Sequence, residues 1–133
     1  MRTFHGIQSR DFPNCFVMHI NQAAFTANFP HLLEELTAHI AHIIGHAVRT
    51  GARTVEVSET AEEEWVNTIV EKGTGAMGAL ANPDCTPGYY NNEGQPHPNA
   101  AQGAPYGGGS IEFFKLLEQW RDNGDFAGLE FTR

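Results

Sequence analysis

The spacing of apolar positions along the chain predicts three helices. The longest runs from about Pro30 to Thr50, within the segment 28–51, where Asn28 precedes a proline in the first turn and Gly51 supplies the stop. Its apolar positions recur three or four residues apart, at Leu33, Leu36, Ile40, Ile43, Ile44 and Ala47. This spacing predicts one apolar stripe that packs against the rest of the domain.

The second predicted helix lies in the segment 52–72, behind a brief extended stretch, Thr54–Val57. It runs from about Ala61 to Lys72 and begins with the capping-box pattern Thr60-x-x-Glu63. Acidic residues are concentrated at its start, at Glu59, Glu62, Glu63 and Glu64. Such a run is typical of a solvated helix face.

The third predicted helix runs from about Ser110 to Asn123, in the segment 110–133, and ends at Gly124. Its expected apolar face consists of Ile111, Phe114, Leu117 and Trp120. The closing residues Leu129-Glu130-Phe131 are predicted to form a terminal strand. Residues 73–109, between the second and third helices, are rich in Gly, Pro and Asn and show almost no periodicity, so they are predicted to form a long loop.

A short apolar run, Cys15-Phe16-Val17-Met18-His19-Ile20, precedes the long helix. Near-continuous apolarity is what a strand covered on both faces needs, so residues 1–27 are expected to hold a buried strand followed by a turn. Such a strand indicates a larger sheet than this chain can build alone. In these apolar surroundings the thiol of Cys15 is expected to be inert.

Composition narrows the class of protein. A length of 133 residues with 41% hydrophobic content fits one globular domain, here of the α/β class. The formal net charge of −8 argues against nucleic acid as a partner, because an acidic surface repels phosphates. No apolar run approaches the roughly 20 residues of a membrane span, and no signal peptide is predicted. Cys15 and Cys85 form no CxxC pair, so a reducing, cytoplasmic setting is expected.

Two glycine-rich motifs have the composition of phosphate-binding turns. Gly73-Thr74-Gly75-Ala76-Met77-Gly78 satisfies G-x-G-x-x-G, but that fingerprint needs a strand before it, and here a predicted helix precedes it. We therefore interpret it as a linker. Gly107-Gly108-Gly109-Ser110, at the start of the third helix, fits either an anion held by free backbone N–H groups or close packing of the loop, and packing is the favoured interpretation.

A row of potential metal ligands follows one strip of the long helix. Glu35, His39, His42 and His46 are spaced three and four residues apart, and imidazole with carboxylate can bind zinc or iron. Metal sites usually recruit a ligand from a second element, and no Cys or His pair with ligand spacing occurs elsewhere in the sequence. A packing role or a place at the solvent edge is therefore favoured, with metal binding as the alternative. No serine has the surroundings of a nucleophile, so no catalytic residue is predicted.

Four segments, in the same order, resemble one family. The first is Thr3-Phe4-His5-Gly6 with Asp11-Phe12-Pro13-Asn14-Cys15-Phe16, and the second is Phe25-Thr26-Ala27-Asn28-Phe29-Pro30 leading into Leu33-Glu34. The third is Ala61-Glu62-Glu63-Glu64-Trp65-Val66, and the fourth combines Tyr89-Tyr90-Asn91-Asn92-Glu93-Gly94 with Tyr106-Gly107-Gly108-Gly109 through Trp120. Their order and spacing cover nearly the whole chain, which resembles the late part of Baeyer–Villiger monooxygenases.

The resemblance implies a partial, C-terminal fragment of a flavoprotein with two dinucleotide-binding domains, which uses FAD, NADPH and O₂ to oxidise small-molecule ketones. It implies that Thr26, Asn28 and Phe29 contact the flavin or face the substrate cavity. Tyr89 and Asn92 would lie in a loop near the nicotinamide cofactor. The dinucleotide fingerprints are expected upstream of Met1, in a partner portion of the same enzyme, so the chain alone is expected to bind neither cofactor and to be inactive.

The chain departs from the family's pattern in two places. Ile20-Asn21-Gln22 replaces the Gly-Pro turn that follows the apolar strand, and the long loop has Thr86-Pro87-Gly88-Tyr89 where many members have a tryptophan. These departures indicate a divergent branch. Two alternatives stay open, namely a helical metal-binding protein and a small interaction protein that keeps the inherited fold without its cofactor.

Overall fold

The three predicted helices and the two short strands that flank the second and third of them are present. The computed structural model describes residues 1–73, 86–88, 93–95 and 99–133. The elements are α1 (Phe29–Thr50), β1 (Thr54–Val57), α2 (Glu59–Lys72), a short 3-10 helix (Ala100–Gly103), α3 (Ser110–Asn123) and β2 (Leu129–Thr132). In the described part of the chain the sheet is antiparallel and two-stranded, with Thr54 opposite Thr132. No helix of that part is long and apolar enough to span a membrane.

The helix ends follow from capping residues. The side chain of Asn28 accepts a hydrogen bond from the backbone N–H of His31 at 3.3 Å, and Gly51 ends α1 in the left-handed conformation at φ 71°. The capping box predicted at Thr60 is wrong. Ser58 caps α2 instead, because its extended backbone lets its hydroxyl accept from the N–H of Ala61 at 3.2 Å.

The core lies between the inner faces of the three helices and the N-terminal segment. The buried positions of α1 are Leu32, Leu36, His39 and Ile43. The predicted stripe was therefore correct at Leu36 and Ile43 but wrong at Ile44, which is 44% exposed. The error arises because α1 has apolar residues on two adjacent stripes, and packing decides which one faces the core. In α3, Phe113 and Leu117 are fully buried.

The buried strand predicted at Cys15–Ile20 is wrong. This run has no regular secondary structure, and Cys15, Val17 and Met18 are exposed. A strand covered on both faces needs neighbouring strands, and the described residues place none beside it. Within the described residues the run is therefore an exposed apolar segment that belongs to no sheet. The thiol of Cys15 is exposed, whereas the sequence predicted apolar surroundings for it.

The solvated face predicted for the acidic run needs one correction. Glu59, Glu63 and Glu64 are exposed, but Glu62 is only 7% exposed. Its carboxylate accepts from Arg2 Nε at 3.2 Å and from the backbone N–H of Arg10 at 2.8 Å. Glu62 therefore fastens the N-terminal segment to α2.

Candidate functional site

The turn that leads into α1 carries the three described residues for which a cofactor role was predicted. Thr26 is half-buried, Asn28 is exposed, and the ring of Phe29 is 44% exposed. The hydroxyl of Thr26 accepts from the backbone N–H of Asn28 at 3.2 Å, so the two side chains share one tight turn at the helix start. The ring of Phe25, 57% exposed, belongs to the same turn. The structure therefore places an aromatic, solvent-facing surface at the N-terminus of α1.

Hydrogen bonds of Gln22 fix the position of this turn. In the sequence, Gln22 stood out only as part of the segment that departs from the family's pattern. Gln22 is fully buried and has a left-handed backbone, φ 58°. Its side-chain oxygen accepts from the backbone N–H of Thr3 at 2.8 Å and from the hydroxyl of Thr3. Its amide nitrogen donates to the carbonyls of Met1 and Gln102, and its own carbonyl accepts from Trp65 Nε1 at 3.0 Å. One amide thus joins three segments of the chain.

The end of the predicted long loop packs against the same turn. The backbone N–H of Gln22 donates to the carbonyl of Ala104 at 2.9 Å, and that of Tyr106 donates to the carbonyl of Ala23 at 2.7 Å. The structure therefore brings part of the loop to the predicted flavin-facing turn. Tyr89 and Asn92 lie outside the described residues, as does the G-x-G-x-x-G run after Gly73.

In the tri-glycine turn before α3, packing against backbone requires glycine at Gly107, whereas at Gly109, where a Cβ would meet nothing within 4 Å, glycine is favoured by a φ of 85°. A Cβ at Gly107 would lie 1.7 Å from the carbonyl oxygen of Lys72, and a Cβ at Gly108 would lie 2.6 Å from a carboxylate oxygen of Glu112. Lys72 Nζ donates to the hydroxyl of Tyr106 at 2.7 Å and to Glu112 at 3.0 Å. The carboxylate of Glu112 in the first turn makes this helix start unsuitable for an anion, which agrees with the favoured interpretation of the sequence.

A pair of buried histidines lies in the centre of the core. His5 Nδ1 and His39 Nε2 are 3.1 Å apart, and the two residues are 4% and 0% exposed. The rings of Trp65 and Trp120 lie edge-on to His5, with centroids 4.9 and 5.8 Å away. Burial, with a smaller contribution from His39, lowers the pKa of His5 well below its ordinary range. Burial, then the charges of Arg121 and His42, lowers the pKa of His39 to about 3, so both rings are neutral.

These lowered pKa values predict that the chain loses stability as the pH falls below about 6.5, the ordinary histidine pKa. In that range the unfolded chain binds protons on His5 and His39, whereas folded His39 stays neutral until about pH 3. Lowering the pH from about 7 to about 5.5 should cost about 1.3 kcal/mol for each of the two histidines. Urea unfolding at both pH values measures this cost. His39→Gln should remove about 1.3 kcal/mol of the measured cost, and an unchanged pH dependence in that variant would contradict the assignment.

The histidine row of α1 does not form a metal site in the described part of the chain. His39 pairs with His5, while the ring of His42 stacks on Phe126 and that of His46 lies tilted against it, with centroids 5.0 and 3.9 Å away. No three His, Cys, Asp or Glu side chains of the described residues are grouped so that they could hold a metal ion. The packing interpretation of this row is therefore favoured over the metal-binding alternative.

Curated relatives match almost the whole chain. Pentalenolactone D synthase from Streptomyces arenae is 46% identical over 128 residues, which make up 96% of this chain and 21% of that protein. An FAD-binding monooxygenase from Hypomyces subiculosus is 39% identical over 98% of this chain, and Baeyer–Villiger monooxygenase 4 from Dietzia sp. is 34% identical over 98% of it; each match covers 21% of the relative. The chain thus spans about a fifth of the length of these relatives. No family model matches it.

Solved structures share the fold. Polycyclic ketone monooxygenase from Thermothelomyces thermophila superposes with a TM-score of 0.81 at 32% identity, over 99% of this chain and 21% of that one. A steroid monooxygenase bound to NADP superposes with a TM-score of 0.74 over 100% of this chain and 23% of its own, and its identity of 18% indicates a common fold alone. The resemblance predicted from the sequence is therefore confirmed, and the chain matches a C-terminal section of the Baeyer–Villiger monooxygenases.

Proposed function

We propose that this chain is the C-terminal section of a Baeyer–Villiger monooxygenase that uses FAD, NADPH and O₂ to insert an oxygen atom into a small-molecule ketone, and that it is inactive alone. The observation that carries the proposal is the match of 96% of the chain to pentalenolactone D synthase at 46% identity. When bound, FAD and NADPH supply the redox chemistry, in which one atom of O₂ enters the ketone and the other becomes water. The two dinucleotide-binding domains would belong to the rest of the enzyme.

The turn before α1 is suited to one wall of a flavin pocket. The first turn of α1 contains no acidic residue, so the positive end of the helix dipole can favour the negative charge of a reduced flavin. Thr26 and Asn28 would orient the ring, and the exposed face of Phe29 would exclude water from it. Tyr89 and Asn92 are proposed to contact the nicotinamide cofactor, on the strength of the resemblance.

The apolar run Cys15–Ile20 supports a partner for this chain. Val17 and Met18 are 36% and 49% exposed, and nearby Phe12 is 62% exposed. A concentration of apolar surface of this kind marks an interface rather than a solvated loop. We assign the upstream portion of the same enzyme as the partner and propose that it covers this exposed apolar run. The free, exposed thiol of Cys15 suits a reducing cytoplasm.

The proposal is tested by restoring the missing portion. The purified chain should be colourless and should not oxidise ketones. A chimera in which it replaces the corresponding section of polycyclic ketone monooxygenase should bind FAD and oxidise a cyclic ketone with NADPH. The same carrier protein truncated before this section is the control and should be inactive. Stoichiometric FAD on the isolated chain, or a folded chimera without FAD, would contradict the proposal.

A further inference from the structure

Between Leu36 and Val48, helix α1 carries no charge on its outer side or on its inner side. From Leu36 to Val48 it contains no Asp, Glu, Lys or Arg. The core takes up only part of this uncharged surface, because within the run just Leu36, His39 and Ile43 are buried. A helix at a protein surface normally carries charged or strongly polar residues on its outer face. The composition of α1 is instead that of a helix covered on two sides.

The other two helices of the chain show the ordinary pattern. In α2 the exposed positions include Glu63, Glu64 and Glu71. The exposed positions of α3 include Glu112, Lys115, Glu118 and Asp122. Among the helices of the described residues, such a long uncharged stretch therefore occurs only in α1, between Leu36 and Val48, and does not reflect a general shortage of charge.

Four exposed residues in this stretch of α1 form a continuous uncharged stripe. Thr37, Ala41, Ile44 and Val48 are all exposed and are spaced four, three and four residues apart, so they lie along one side of the helix; we refer to them as the outer stripe. Ile44 and Val48 are 44% and 74% exposed. The hydroxyl of Thr37 donates to the sulfur of Met18 at 3.5 Å, so the stripe continues into the exposed run Cys15–Ile20.

We infer that the outer stripe of α1 is an interface that the upstream portion of the same monooxygenase covers, an inference that rests on the proposed function. The relatives are about five times as long as their match to this chain, so most of the enzyme lies outside it. Met18 contacts Thr37 of the stripe and belongs to the run Cys15–Ile20, which the upstream portion is also proposed to cover. One apolar surface of the upstream portion would therefore cover both. Between Leu36 and Val48 no Lys or Arg flanks the stripe, whereas a helix lying on a lipid surface carries such residues on its polar face beside the apolar one.

Cysteine labelling in the chimera tests this interface directly. Ala41→Cys places a thiol in the middle of the outer stripe, and Ala101→Cys places a matched thiol at an exposed position of the short 3-10 helix. Both substitutions are small and lie at exposed positions of this chain, so neither should disturb its fold. A maleimide is added to each folded chimera, whose FAD content is measured separately, and the labelled peptides are quantified by mass spectrometry, with the urea-unfolded protein as the reference for full reactivity.

Ala41→Cys should react at least about tenfold more slowly than Ala101→Cys in the folded chimera, because local opening must precede labelling of a covered thiol. Equal reactivity in a chimera that binds FAD would overturn the inference and leave the proposed function intact. Protection that disappears on dilution would show that a second copy covers the stripe, which also overturns it. A chimera that protects Ala41→Cys but neither binds FAD nor oxidises ketones would refute the proposed function while the interface stands.

Discussion

Gly107→Ala is expected to destabilise the chain by about 3 kcal/mol or more, enough to leave little of it folded. The new Cβ would lie 1.7 Å from the carbonyl oxygen of Lys72 and 2.4 Å from its carbonyl carbon. Both are backbone atoms at the end of α2, so the clash cannot be relieved by a change of rotamer. The last turn of α2 would have to move away from the start of α3. Urea unfolding followed by tryptophan fluorescence measures the loss.

Gly51→Ala is the matched control for this prediction. Gly51 has a left-handed backbone, φ 71°, but a Cβ there would meet nothing within 4 Å. Only the conformational cost of a left-handed alanine remains, about 1 kcal/mol. Equal losses in the two variants would show that the approach to Lys72 is not what requires glycine at position 107.

Gln22→Leu is expected to cost about 3 kcal/mol or more, although leucine is close to glutamine in size. The variant removes the acceptor for the buried backbone N–H of Thr3 and the donor to the carbonyls of Met1 and Gln102. Each polar group left buried without a partner costs about 1–3 kcal/mol. The turn into α1 would loosen with it, so the FAD content of the chimera should fall together with the urea midpoint.

Gln119→Leu controls for the loss of an amide as such. Gln119 is exposed on α3, and replacing it should change the stability by no more than about 0.5 kcal/mol. Gln22→Glu adds a second comparison, because it keeps an acceptor for Thr3 but places an oxygen against the carbonyls of Met1 and Gln102. A Gln22→Leu variant as stable as Gln119→Leu would show that the buried amide does not hold the turn.

Local signals in the sequence were sufficient to predict the helices but not their inward faces. The end of α1 follows from Gly51 and that of α3 from Gly124, both left-handed in the structure, because a stop of this kind depends on one residue. The choice between Leu32 and Leu33 as the buried leucine depends on what packs against α1. Periodicity alone does not contain that information.

Only those residues of the candidate site that lie in a motif of the family could be proposed from the sequence. Thr26, Asn28 and Phe29 were assigned by resemblance, and the structure places them together at the helix start. The pairing of His5 with His39 joins residues 34 positions apart, and spacing within one helix cannot reveal such a contact. Gln22 left one signal, its place in the segment Ile20-Asn21-Gln22 that replaces the family's Gly-Pro turn, but its left-handed backbone and its buried hydrogen bonds are visible only in the structure.

The pairing of β1 with β2 also affects how this chain is made. The two strands are far apart in the sequence, since β1 is Thr54–Val57 and its partner is Leu129–Thr132. Closing so long a segment is entropically slow, and until then the edge of β1 is free to pair with any other exposed strand. Until β2 has been synthesised, the growing polypeptide therefore exposes an unpaired strand edge, which makes it prone to aggregate.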